Sequence, residues 1–143
     1  MSAVNILLVE DDEIDYKIVQ RTFRDLKIAN TLYRAHDGIE AFDMLHGTNG
    51  HTALPSPCII LLDLNMPRMG GLEFLALLRQ DPQLKRSIVF VMTTSSAEED
   101  MVAAYNHNVA GYVLKHNPAE TFMSAVCMLE HYWRVIELPN TQA

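Results

Sequence analysis

The sequence predicts an α/β domain in which a parallel sheet is covered by helices on both faces. Five short apolar segments of strand length alternate with five segments of helical pattern, in the order βαβαβαβαβα. Strands and helices that alternate along a chain are typical of parallel sheets. Four of the five strand segments lack a polar alternation, as expected when both faces of the sheet are buried.

The first half of the chain supplies three of the strands and two of the helices. Residues 13–26 place apolar side chains every three or four positions, which is one face of an amphipathic helix. Asp37, with Glu40 three residues later, is a capping-box pattern that predicts the start of a second helix. Residues 46–57 contain two glycines and two prolines and predict a loop. The predicted strands of this half are 4–9, 31–35 and 58–62.

The second half supplies the remaining elements and carries clear start and stop signals. A helix ends near Asp81, because the proline that follows disfavours helical geometry there. Ser95 and Ser96 are alternative N-caps of the next helix, and Asn108 can end it. Pro118 suits the first turn of the last helix. The predicted segments of this half are 71–80, 87–92, 95–108, 111–114 and 118–136.

Composition excludes several classes of protein. The chain has 143 residues, enough for one domain with a real core, and its net charge of −7 should repel nucleic acid. No apolar run approaches the length of a membrane span, and the N-terminus lacks the basic region of a signal peptide. We therefore expect a single cytoplasmic domain without a DNA-binding output or a membrane partner. Cys58 and Cys127 lie in apolar segments and predict reduced core thiols.

Polar side chains stand where the predicted strands end. In open parallel sheets the functional crevice lies beyond the carboxyl ends of the strands. Several carboxylates in one crevice repel each other and call for a divalent cation, and oxygen-only ligands indicate Mg²⁺. Beside a bound cation, an aspartate can act as a nucleophile and form an aspartyl-phosphate. The residues concerned are Glu10, Asp11 and Asp12, then Asp63, then Thr93 and Thr94, then Lys115.

The motifs LLVEDD, LLDLNMPRMGG, VMTTS and GYVLK occur in this order and form a highly specific set. They resemble the receiver domains of two-component response regulators over about residues 4–130. The resemblance implies a flavodoxin-like fold, a doubly wound five-stranded parallel sheet of order 2-1-3-4-5. It also implies transfer of a phosphoryl group from a sensor histidine kinase to Asp63, dependent on Mg²⁺. Apart from self-catalysed phosphotransfer and dephosphorylation, no enzyme activity is implied, and the output would be protein–protein contact.

The resemblance further implies roles for individual residues. Asp63 would be the phospho-acceptor and a cation ligand, with Asp11 binding the cation directly and Glu10 through water. Asn65 would contribute a backbone carbonyl to the cation. Thr93 and Tyr112 would be the switch residues, and Lys115 would bind the phosphate.

A finer resemblance is to the single-domain receivers that serve bacterial phytochrome histidine kinases. It rests on TTSSAEED, on the ending HYWRVIELP and on the long Gly/Pro loop before the third strand. It implies a phytochrome as the partner kinase, and it leaves the downstream protein unknown.

The last helix predicts a homodimer. An apolar stripe recurs at spacings of four and three, and its second half runs past the length that the domain core needs. We expect residues 131–143 to form a C-terminal extension, with Tyr132, Trp133 and Ile136 in a dimer interface. The alternative is that the tail folds back onto its own domain. The stripe comprises Phe122, Val126, Leu129, Trp133 and Ile136.

Other functions stay open at this stage. His116 follows Lys115 where receivers usually have a cis proline, and a cis bond before another residue costs about 3 kcal/mol. A degenerate receiver that works without phosphate is therefore one alternative. An aspartate-nucleophile phosphatase is another, but Asn65 stands where its general acid would be. A flavin-binding module would need a phosphate-cradling loop after the first strand, where three acids stand instead.

Overall fold

Five parallel strands form one sheet in the order β2-β1-β3-β4-β5. The computed structural model describes residues 4–56, 58–115 and 118–138, without the side chains of 118–123. The strand order confirms the predicted fold class. The strands are β1 (Asn5–Val9), β2 (Leu32–Ala35), β3 (Cys58–Leu62), β4 (Ile88–Thr93) and β5 (Gly111–Leu114).

Helices follow each strand, and two of them begin at aspartate caps. Asp12 Oδ1 accepts the backbone N–H groups of Ile14 at 2.8 Å and Asp15 at 3.0 Å. Asp37 Oδ1 accepts the N–H of Glu40 at 2.9 Å, which is half of the predicted capping box. The helices are α1 (Glu13–Asp25), α2 (Gly38–His46), α3 (Gly71–Gln80), α4 (Glu98–Asn106) and α5 (Pro118–Val135).

The start of α4 differs from the prediction. Its N-cap is Ala97, with no side-chain cap, so the expectation that Ser95 or Ser96 caps the helix is wrong. The reason is that Ser95 is engaged elsewhere: its hydroxyl donates to Asp100 Oδ2 at 2.6 Å, and its carbonyl accepts a bond from Tyr112. Asn108 lies just beyond the helix with φ at 60°, the left-handed conformation that ends a helix.

The sheet separates two hydrophobic cores, as predicted from its apolar strands. One core joins the sheet to α2, α3 and α4, and the other joins it to α1 and α5. None of the described helices has the length and apolar character needed to span a membrane. The first core includes Leu7, Val9, Ile60, Leu62, Phe74 and Ala104. The second includes Ile6, Leu8, Ile59, Leu61, Phe23, Val126 and Leu129.

The C-terminal part of α5 packs on its own domain rather than outward. Trp133 is only 5% exposed and donates from Nε1 to Asn30 Oδ1 at 3.1 Å. Tyr132 packs edge-on against Phe90, with ring centroids 5.2 Å apart. The expectation that Trp133 faces outward is therefore wrong, because α1 and the loop after it supply a pocket that the helical periodicity could not reveal.

The outer face of α5 carries a different apolar set. Met128 and Val135 are exposed, Val135 at 81%. Ile136 is half-buried. Phe122 and residues 139–143, which the dimer and extension predictions include, lie outside the side chains and residues described.

The two cysteines differ in exposure. Cys127 is exposed, so the expectation that it is a core thiol is wrong. Burial raises the pKa of the Cys58 thiol to about 12.

Candidate functional site

Backbone register brings four strand ends to one crevice. The N–H of Asp63, after β3, bonds to Val9 O at 3.0 Å, and the N–H of Lys115, after β5, bonds to Thr93 O at 2.8 Å. The backbone N–H of Glu10, the first acid after β1, donates to Ala35 O of β2 at 2.9 Å. Because the strands are parallel and in register, the predicted polar side chains project at the same edge of the sheet. The four side chains Glu10, Asp63, Thr93 and Lys115 are all buried.

Three carboxylates in this crevice form a cluster that fits a divalent cation. One oxygen from each of Glu10, Asp11 and Asp63 lies within 4.8 Å of the others. Asp11 is exposed, while the other two are buried, so the cluster opens to solvent on one side. An all-oxygen donor set of this kind suits a hard cation such as Mg²⁺, which retains water in its remaining positions. Asn65 lies in the loop after β3 with an exposed side chain.

Burial and neighbouring charges shift the pKa values of the two buried carboxylates in the crevice. Burial raises the pKa of Glu10 to about 7, and the charge of Asp63 adds to the rise while Lys115 opposes it. Burial also raises the pKa of Asp63, although the charge of Lys115, a hydrogen bond with the Glu10 side chain and a hydrogen bond from the Asn65 backbone lower it in part. The Thr93 hydroxyl contributes a further bond to Asp63 that lowers its pKa. A bound cation would relieve the repulsion between the two buried carboxylates.

Lys115 is surrounded by carboxylates on three sides. Its Nζ lies 2.5 Å from Glu10 Oε1, 3.0 Å from Asp15 Oδ2 and 3.8 Å from Asp63 Oδ1. Burial alone would lower the pKa of Lys115, but these acids raise it, so the ammonium stays charged. The bond from Lys115 to His116, whose cis or trans state the sequence left open, lies outside the described residues.

Sequence reasoning missed Asp15. It belongs to the first turn of α1, four residues after Asp11, and its N–H is one of the two bound by the Asp12 cap. Asp11 precedes the N-cap, so helical spacing does not relate the two residues. The available signal was the position of Asp15 in the first turn of α1, which begins at the same edge of the sheet as the strand ends.

The predicted switch residues are linked through the loop after β4. The Tyr112 hydroxyl donates to the backbone carbonyl of Ser95 at 2.8 Å. The N–H of Ser95 in turn donates to Thr93 Oγ1 at 3.3 Å. A short chain of hydrogen bonds therefore joins the crevice to the surface of β5.

The loop after Asp63 is held at both ends. Gly71, the first residue of α3, donates its N–H to Leu64 O at 2.9 Å. A Cβ atom at Gly71 would lie 2.6 Å from Asp63 O, so only glycine allows this approach. Earlier in the loop, Arg68 adopts a φ of 62° and donates from Nε to Asp37 Oδ2 at 2.6 Å. These contacts fix the backbone that presents the Asp63 carboxylate.

The family of the chain follows from comparison with known proteins. The family model of the response regulator receiver domain matches residues 6–127. The chain therefore belongs to the response regulator receiver domain family. It is 37% identical over 135 residues to the response regulator Rcp1 of Synechocystis sp., covering 94% of this chain and 92% of Rcp1.

Solved structures of similar proteins extend this comparison. The Mn²⁺-bound form of Rcp1 is 35% identical with a TM-score of 0.84, over 96% of this chain and 99% of that one. The phosphorylated cyanobacterial phytochrome response regulator RcpA is 33% identical with a TM-score of 0.87, over 97% of this chain and 100% of that one. The bacteriophytochrome response regulator AtBRR is 30% identical with a TM-score of 0.75, over 96% of this chain and 99% of that one. The predicted resemblance to receivers associated with phytochromes is confirmed.

Proposed function

We propose that this chain accepts a phosphoryl group on Asp63 from a sensor histidine kinase and signals by protein–protein contact. The observation that carries the proposal is the position of Asp63. It is buried at the end of the central strand, with carboxylate oxygens of Glu10 and Asp11 within 4.8 Å and the Lys115 ammonium 3.8 Å away. A carboxylate held rigidly among these groups has the surroundings that a phosphoryl acceptor needs.

One group of crevice residues would bind the cation. Glu10, Asp11 and Asp63 would hold Mg²⁺, with the Asn65 carbonyl as a further ligand. The bound cation supplies positive charge that offsets the carboxylates and the incoming phosphoryl oxygens.

The other groups act directly on the phosphoryl group. A carboxylate oxygen of Asp63 forms the new bond to phosphorus as the bond from phosphorus to the donor breaks. The Thr93 hydroxyl and the Lys115 ammonium donate hydrogen bonds to the phosphoryl oxygens. Dephosphorylation uses the same groups with water as the nucleophile, so no separate enzyme activity is required of the chain.

We also propose that the partner kinase is a phytochrome. The support is the name of RcpA, a cyanobacterial phytochrome response regulator, together with its likeness to this chain over 97% of the length. The negative net charge of −7 gives no support for nucleic acid as a target. Contact with a downstream protein would then be the route by which the phosphoryl signal leaves the domain.

The proposal is tested by incubating the full chain with acetyl phosphate and Mg²⁺ and measuring the intact mass. We expect a gain of one phosphoryl group that hydroxylamine removes, as an acyl phosphate requires. Asp63→Asn should abolish the gain, while Asp25→Asn, at a surface position of α1, should not. A phosphoryl group that persists in Asp63→Asn, or no gain in the wild-type chain, would refute the assignment.

A further inference from the structure

We propose that Arg34 is a positioning residue for the cation site. From the edge strand β2, it fixes the backbone of the segment that presents Glu10 and Asp11. The inference rests on the proposed function, because it assigns a role toward the cation that the crevice would bind. Neither the sequence pattern nor the family motifs single out this residue.

The side chain of Arg34 makes three hydrogen bonds to one short segment. Its Nε donates to Glu10 O at 3.1 Å, and its Nη2 donates to Asp11 O at 3.2 Å. Its Nη1 donates to Glu13 Oε2 at 2.6 Å. The guanidinium carbon also lies 4.4 Å from the centre of the Tyr16 ring. Despite its charge, the Arg34 side chain is only 10% exposed.

Two of these contacts are to backbone carbonyls and none is to the carboxylates of Glu10 or Asp11. The carbonyls of Glu10 and Asp11 lie between the end of β1 and the start of α1, where the strand ladder no longer supplies partners. A planar guanidinium donates in a fixed fork, so it can set the orientation of two successive peptide groups. Packing against Tyr16 restrains the fork further. A lysine at this position would lack both the fork and the planar face.

Two effects of Arg34 on cation binding oppose each other. A positive charge near the crevice repels a cation, whereas a fixed backbone presents its ligands in the right orientation. Glu13, 2.6 Å from the guanidinium, offsets its charge. We therefore expect the gain in cation affinity from positioning to exceed the loss from charge repulsion. The two effects predict opposite signs for the loss of Arg34, so the sign of the change decides between them.

The experiment measures Mn²⁺ affinity of the full-length chain by electron paramagnetic resonance. Arg34→Met keeps the aliphatic stem but loses the donors, and Arg34→Lys keeps the charge but loses the fork. Both should weaken Mn²⁺ binding about ten-fold, the size typical of losing a group that orients metal ligands. Glu13→Gln keeps the carbonyl contacts but leaves the Arg34 charge without this exposed counter-ion, so it should weaken Mn²⁺ binding by less than about two-fold. Arg24→Met, at an exposed position of α1, is the matched control.

A second measurement separates positioning from general destabilisation. Amide hydrogen exchange of the cation-free protein should accelerate at residues 10–12 in Arg34→Met and stay unchanged in the core of β3 and β4. Unchanged or tighter Mn²⁺ binding in folded Arg34→Met and Arg34→Lys would overturn the role of Arg34 alone. A wild-type chain that binds no Mn²⁺ would overturn the cation site of the proposed function and, with it, this role.

Discussion

The ammonium nitrogen of Lys115 lies 3.8 Å from Oδ1 of Asp63, beyond hydrogen-bond distance, although both side chains are buried in the same crevice. Two nearer carboxylates, of Glu10 and Asp15, hold it instead. A phosphoryl group on Asp63 would share the three N–H donors of Lys115 with these carboxylates and draw its positive charge away from them. Asp15 therefore competes with the phosphorylated state for the lysine.

Replacing Asp15 by Asn should favour the phosphorylated form. The substitution removes the negative charge 3.0 Å from Lys115 and leaves Glu10 in place. With limiting acetyl phosphate, we expect the ratio of phosphorylated to free protein to rise about three-fold, the effect of one partly exposed ion pair. Intact mass spectrometry gives the ratio, and Asp25→Asn on the same helix is the control. A lower ratio in Asp15→Asn would show that Asp15 assists phosphorylation instead.

Mg²⁺ should stabilise the protein more at alkaline than at acidic pH. The pKa of Glu10 rises from its ordinary 4.5 to about 7 on folding without a cation. Between these values the folded protein retains a proton that the unfolded chain has released, so its stability falls as the pH rises from 4.5 to about 7. Above that range Glu10 is ionised in the folded protein, and its buried charge lowers the free energy of unfolding by the full amount. A bound cation can offset this loss.

The measurement is the Tm with EDTA and with Mg²⁺ at about pH 8 and about pH 5. We expect a clear rise in Tm at the higher pH and a smaller one at the lower pH, where Glu10 holds a proton that the cation must displace. Glu10→Gln should reduce the pH dependence of the cation-free protein. An equal effect of Mg²⁺ at both pH values would contradict the prediction.

Phosphorylation should alter the loop after β4 and the adjoining β5. A phosphoryl group on Asp63 attracts the Thr93 hydroxyl, which now accepts a bond from the Ser95 N–H at 3.3 Å. Moving Thr93 disturbs Ser95, whose carbonyl is bound by Tyr112. Amide NMR spectra with and without phosphate should therefore differ at residues 93–97 and 111–114. Tyr112→Phe should shrink the change in β5, and identical spectra would refute the coupling.

A homodimer, if formed through α5, should use the outer face of this helix. Trp133 is buried in its own domain, so the exposed Met128 and Val135 replace it as the expected contacts. Truncation after Glu130 would remove Trp133 from the core and lower the free energy of unfolding by about 3–5 kcal/mol. A change of mass in that variant could therefore result from unfolding. Point variants leave the core intact.

Light scattering across micromolar concentrations should give a dimeric mass for the full chain. Val135→Glu should weaken the dimer about ten-fold or more, since a charge placed in an apolar contact is left unpaired. Leu77→Glu, at an exposed apolar position on α3, should leave the mass unchanged. A monomeric wild-type chain would defeat the prediction.

The sequence predicted the elements and the strand ends because both depend on short-range pattern. Apolar runs defined the strands, and an acid after a buried strand pointed to the crevice edge that Asp63 occupies. Trp133 was misassigned because its pocket involves Asn30, which lies far away in the chain. The role of Arg34 could not be predicted because its acceptors are backbone carbonyls, which every residue type has.

The absence of a side chain at Gly71 ties the first turn of α3 to the backbone of Asp63. A larger residue would collide with Asp63 O and with Leu64 Cα, at 2.6 Å and 2.7 Å, so only glycine lets the helix begin this close to the Asp63 backbone. The N–H of Gly71 also bonds to Leu64 O at 2.9 Å. A displacement of the start of α3 would therefore strain the backbone that carries Asp63. If Asp63 accepts a phosphoryl group as proposed, we expect a protein bound at the start of α3 to change the rate at which that group is gained or lost.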